Sequence, residues 1–184
     1  MSSHAFSLMP FPGNIPSFPV TISGAISRQD NFLGISYLIA GDLAGLAIPA
    51  PAPAAARHWL LWEHTCGEFF LAPEGGSGYW EFNLSPAGHW NVFRLADYRQ
   101  GLEEERAITS LPLVVRHSPG VLTLSLELSL AAIIPPHQSL KAGISAVLEH
   151  LDGSFSYWAL AHPGPEPDFH RREGFTISLP GTAP

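Results

Sequence analysis

Eighteen prolines and seventeen glycines interrupt this chain of 184 residues at short intervals. Proline removes a backbone donor and glycine favours turns, so little room remains for long helices, and short strands joined by tight turns are the natural alternative. The clearest strand is VLTLSLELSL, where Leu122, Leu124, Leu126, Leu128 and Leu130 alternate with Thr123, Ser125, Glu127 and Ser129. Period two means one buried face and one wet face. Nine further segments read as strands, at 18–27, 34–41, 67–72, 79–86, 89–95, 111–117, 142–150, 154–161 and 174–180. About ten short strands without interleaved helical patterns predict an all-β antiparallel sandwich or barrel. Ser85-Pro86-Ala87-Gly88 and Asp152-Gly153 carry the clearest hairpin turns.

The length predicts a single domain over 18–180. The first 17 residues are expected to be poorly structured and 181–184 to form a frayed tail. The Pro/Ala-rich stretch 48–58 reads as a semi-rigid excursion within the domain. A net charge of −7, with one lysine and eight scattered arginines, leaves no footprint for nucleic-acid backbone. Apolar runs such as 130–134 end too soon to span a bilayer. The N-terminal stretch lacks a basic region followed by a continuous apolar run, which predicts a cytoplasmic protein with no membrane partner. The lone Cys66 has no disulfide partner within the chain.

In YWEFNL, Tyr79, Glu81 and Asn83 fall on one strand face and Trp80, Phe82 and Leu84 on the other. The second set reads as core. The first combines a ring with a carboxylate and an amide, the groups that grip a polyhydroxylated ligand: rings cover C–H faces while polar groups bond hydroxyls. A plain solvent-facing strand surface is the alternative.

The blocks LLWEHTCGEFFLAP, YWEFNLSPAGHWNVFRLADYR and AVLEHLDGSFSYWALAHPGPEPDFHRREGFTISL, spanning about 57–179, resemble the DOMON-like group in the superfamily of the family 9 carbohydrate-binding modules. The resemblance implies an immunoglobulin-like β-sandwich. It also implies a sugar clamp: Trp62, Glu68 and Phe70 match W-x-x-x-x-x-E-x-F, and Phe169 stands where the second clamping aromatic belongs, as Phe rather than Trp. Glu81 lies on the strand that supplies a polar sugar contact in those relatives. Trp62 reads equally as a core tryptophan.

Haem, which other members of the superfamily bind between Met and His, would have only Met1 and Met9, or two of nine histidines, to ligate it. Calcium, a structural ion in some family 9 modules, would need an oxygen ligand set that the sequence does not assemble. His162, Asp168 and His170 form the one candidate metal set, without a recognised spacing. Glu68 and Glu81 would make a glycosidase-type pair only if they faced one another across a cleft. No nucleophile elbow, phosphate loop or dinucleotide fingerprint occurs, and His64 and Cys66 lack an orienting third group.

The expected function is therefore non-catalytic binding of a small ligand, a saccharide or related polar metabolite. Trp62 and Phe169 would stack, while Glu68, Glu81, Asn83 and His170 would hydrogen-bond. A haem- or metal-binding protein and a protein-interaction module are the alternatives. Oligomeric state is open.

Overall fold

Alternation does in three dimensions what it promises in one. In the computed structural model, which describes residues 2–182, Leu122, Leu124, Leu126 and Leu128 of β9 (Val121–Ser129) are all buried, and the residues between them face outward. β9 lies in an antiparallel sheet with β1 (Ser2–Pro10), β2 (Val20–Gln29), β3 (Phe32–Gly41) and β8 (Val114–Ser118), in the order β1-β2-β3-β9-β8. A second antiparallel sheet runs β7-β6-β5-β4-β10-β11, from β4 (Cys66–Pro73), β5 (Tyr79–Leu84), β6 (Trp90–Leu95), β7 (Glu103–Glu104), β10 (Leu140–Glu149) and β11 (Phe155–Ala159). The short β12 (Ile177–Leu179) continues the β11 edge of β10.

The sheets are joined through β1, which pairs along seven residues with β2 and then, at Met9 and Pro10, with β11. The ladder thus curls on itself, and its inner surfaces enclose one apolar core. Phe69 and Phe82 stack there at 4.3 Å, close to Leu71, Val92 and Ile144 of the second sheet and Ile22, Ile35 and Leu124 of the first. The described residues form an all-β sandwich of twelve strands.

Two of the twelve, β1 and the two-residue β7, lie outside the ten segments that alternation marks. Four prolines in the first twenty residues mask β1, yet Phe6 and Leu8 alternate into the core and Pro10 stands at the strand end, where its missing donor matters least. The expectation of a poorly structured N-terminal segment is corrected for Ser2–Pro10. At the other end, Gly181 donates to Ser139 Oγ at 3.2 Å and Thr182 to the Pro136 carbonyl at 2.9 Å, so these two are tied down. Met1 and the rest of the expected tail, 183–184, lie outside the described residues.

Both expected hairpins form, with left-handed glycines at Gly88 (φ 90°) and Gly153 (φ 81°). The 48–58 stretch is strapped to β6: Trp90 N–H donates to the Ala56 carbonyl, and His58 N–H to the Trp90 carbonyl. Arg57 lies over the Trp90 ring, 4.5 Å from its centroid, and donates to Asn91 Oδ1 at 2.6 Å. The strap delivers the following tryptophans to the outer face of the second sheet. Among the described residues no helix is long and apolar enough to cross a membrane.

A candidate ligand cleft on the outer face of the second sheet

β4 is buried almost throughout because both of its faces are covered. Phe69 and Leu71 point into the sandwich core, whereas Glu68, Phe70 and Ala72 point the other way. On that outer face Phe70 and Ala72 join Tyr79, Phe93, Leu95 and Phe175 in a second, smaller apolar cluster, against which Trp62 and Phe169 pack. The cluster covers one end of the face. The other end opens into a cleft of about 620 Å³.

Glu68, Glu81 and Val147 form the floor of the cleft, Trp62 and Glu63 one side, and Phe155 and Tyr157 another. Leu95, Arg99 and Leu102 come from the β6–β7 connection, and Pro167, Phe169 and His170 from the segment after β11. Trp62 sits half-buried in a single 3-10 turn, Leu61–Glu63, its ring edge-on to Phe93 at 5.7 Å. Leu60, just before the turn, has φ 59°. A bulky side chain in left-handed backbone is strained, and such strain gathers at working sites. Arg99, with φ 52°, is a second case on the same cleft.

The carboxyl groups are the unusual feature. Glu68 is 3% exposed, and its Oε1 is buried without a hydrogen-bond partner. Burial, then the nearby Glu81 carboxylate, push its carboxyl well above the usual range. Ser145, the cross-strand partner of Glu68 on β10, offsets part of this without completing a hydrogen bond, since its Oγ is also without a partner. Glu81, 5% exposed, is likewise raised by burial, although Asn83 Nδ2 donates to its Oε1 at 2.8 Å and Arg99 lies near.

His170 is held neutral. Burial, then the Arg99 charge, depress its pKa to about 4. Tyr79 hydroxyl and His170 Nδ1 are 2.8 Å apart, and the same hydroxyl accepts from the Arg99 backbone N–H at 3.2 Å. The Tyr79 hydroxyl thus orients the imidazole through Nδ1, and Nε2 faces Glu81 Oε2 at 3.9 Å. With a neutral imidazole, this contact is not an ion pair.

Trp62, Glu68, Glu81, Phe169 and His170 thus meet at one cleft. Asn83 and Tyr79 do not line it: both are fully buried, Asn83 orienting Glu81 and Tyr79 orienting His170. The metal set is corrected, because among the described residues no three of His, Cys, Asp and Glu gather to hold an ion. His162 Nε2 lies 2.9 Å from the Met9 carbonyl, and Asp168 is a latch. Asp168 Oδ1 accepts from Arg99 at 2.9 Å and from the His170 N–H at 3.1 Å, while Oδ2 accepts from the Tyr98 hydroxyl, so the loop after β11 is fastened to the 97–101 turn. These partners hold the Asp168 carboxyl below its usual value against the opposing effect of burial.

Arg99, Tyr157 and Phe155 were not identified from the sequence. Tyr157 and Phe155 were open to detection, since they alternate along a recognised strand and so share a face. Nothing local marks Arg99, which reaches the cleft only through its left-handed backbone.

No protein-family profile matches the chain, and no curated protein matches it in sequence. Solved structures do. A protein from Bacteroides uniformis ATCC 8492, to which carbohydrate binding has been ascribed, superimposes with a TM-score of 0.72 at 15% identity, over 97% of this chain and 85% of that one. A family 9 carbohydrate-binding module from Caldicellulosiruptor kristjanssonii, solved with glucose, superimposes with a TM-score of 0.53 at 9% identity, over 96% and 86% of the two chains. The chain shares its fold with these two proteins.

Proposed function

We propose that this protein is a non-catalytic saccharide-binding module that holds a sugar in the cleft between Trp62 and Phe169. The observation that carries this reading is the Glu68 carboxyl, which lines the floor of an aromatic-walled cleft while its Oε1 is buried without a hydrogen-bond partner. A buried carboxyl so poorly paired is costly, and a ligand hydroxyl or amine bonded at its cleft side offsets part of that cost. Trp62, Tyr157 and Phe169 offer rings for the C–H faces of a pyranose, and Glu81 and His170 offer further polar contacts. The likeness in fold to a module solved with glucose favours the same ligand class. Glu68 and Glu81 stand diagonally on adjacent strands of one cleft floor rather than across it from one another, which favours binding over the flanking pair of acids that glycoside hydrolysis requires.

Calorimetry against a panel of mono- and disaccharides tests the reading. The native protein is expected to bind at least one, and Trp62→Ala to weaken that binding about tenfold or more, ~1.4 kcal/mol, with its unfolding transition little changed. Binding to none, or unaltered affinity in a folded Trp62→Ala protein, removes the hypothesis.

A further inference from the structure

The floor of the cleft presents two carboxyl groups, Glu68 and Glu81, neither of which has its hydrogen-bonding capacity filled by the protein. Glu68 and Glu81 share the outward face of adjacent antiparallel strands and are diagonal to one another, since Glu68 pairs with Asn83 and Phe70 with Glu81. Such diagonal neighbours have backbones roughly 7–8 Å apart. Glu68 Oε1 has no partner, and Glu81 Oε2 has only His170 Nε2 at 3.9 Å, beyond hydrogen-bond length. Among the described residues no lysine or arginine forms an ion pair with either acid, and the nearest guanidinium in the cleft wall, Arg99, is engaged by Asp168 at 2.9 Å.

The chemistry of this floor selects among sugars. A hydroxyl satisfies one carboxyl but leaves two acids side by side in a poorly solvated place. A primary ammonium brings three donors, no acceptor and a compensating charge, and the aromatic walls favour a cation as well. We propose that the cleft selects a saccharide bearing a free amino group, with the ammonium seated between Glu68 and Glu81 and the sugar ring against Trp62. This deepens the saccharide reading and rests on it. N-acetylation removes both the charge and two donors, so an N-acetylated sugar is discriminated against.

Proton linkage gives a second signature. Burial and the Glu81 charge favour the protonated Glu68 carboxyl in the free protein. An ammonium against it favours the ionised form, so binding releases protons. The other ionisable groups on the cleft are Glu63, Arg99, Tyr157 and His170, and His170, with its pKa near 4, does not take up the proton near neutral pH.

The test is calorimetry on the full chain at about pH 6.5, where a primary amine of this kind is charged, using glucosamine, galactosamine and mannosamine. Each is compared with its neutral parent and its N-acetyl derivative, in two buffers of different ionisation enthalpy. One amino sugar is expected to bind about tenfold more tightly than both counterparts, with heats that differ between buffers in the sense of proton release. Glu68→Gln is expected to bring the ratio of amino-sugar to neutral-parent affinity down to about one. Neutral sugars binding as well as amino sugars overturns the amine selectivity and leaves the saccharide reading standing. Ethanolamine competing as effectively as the best amino sugar overturns the sugar component, and binding by none of the sugars overturns both. If Glu68→Gln does not fold, the amino to N-acetyl ratio and the proton count on the unaltered protein decide.

Discussion

Glu68 and His170 are shifted in opposite senses by the same burial, and their effects on stability run opposite ways with pH. The folded-state values of Glu68 and Glu81 lie above their unfolded ones, so the native state holds protons there more tightly. Their contribution is fully present below about pH 4.3 and is lost as pH rises through the raised values. His170 is depressed to about 4, so its contribution is present above about pH 6.5 and is lost as pH falls through 4. Urea midpoints measured across pH separate the two. Glu68→Gln is expected to flatten the decline toward higher pH, and His170→Gln the decline on acidification; unchanged profiles would refute the assigned shifts. At this scale the sequence was informative where alternation alone decides orientation, as for Glu68 and Glu81. It was silent on which polar atoms are taken already: Asn83 is turned to Glu81, and Tyr79 to His170, by contacts that a strand pattern does not encode.

The elements around the cleft differ in how they are held. The floor is sheet, with every strand paired on both sides, whereas the wall carrying Phe169 and His170 is a connection with one short 3-10 turn, Arg172–Gly174. Three anchors fix that wall. Phe175 packs flat against Gly143, where an added Cβ would lie 2.4 Å from its ring, and Arg172 donates to the carbonyls of Pro73, Gly76 and Ser77. The third anchor is Asp168, bridging to Tyr98 and Arg99. Because the first two lie at the base of the wall, the latch governs its free edge. Asp168→Asn keeps the shape but loses the charge, and is expected to speed ligand dissociation several-fold with little change in association rate. Stopped-flow displacement measures this, and an unchanged dissociation rate would argue against the latch. None of these anchors was legible beforehand: Phe175 meets a glycine of another strand, and the Arg172 and Asp168 anchors join residues about seventy or more apart in the chain.

Across the whole molecule, one cation ties the two sheets together. Arg28 of β2 is 2% exposed and donates to the carbonyls of Asp30, Pro135, Pro136, Gln138 and Leu179, thereby joining the first sheet to the β9–β10 connection and to β12 of the second. A planar fork of five N–H groups suits five carbonyls, and an ammonium does not. Arg28→Met is expected to cost at least about 2 kcal/mol by urea unfolding, because buried carbonyls lose their donors, and Arg28→Lys to recover only part of it. Full recovery by lysine would mean that charge alone suffices. The architecture as a whole was the most legible level: punctuation and alternation indicated a sandwich, while β1 was hidden by prolines that proved to stand at and beyond its end. That strand has a kinetic consequence. Its seam with β11 brings residues 9 and 159 together for two residue pairs, against seven with its neighbour β2. Forming that contact early would incur a long loop closure for very few contacts. Opening that seam parts two residue pairs where separating β1 from β2 parts seven, so amides at the seam are expected to exchange with solvent faster than those of the β1–β2 ladder.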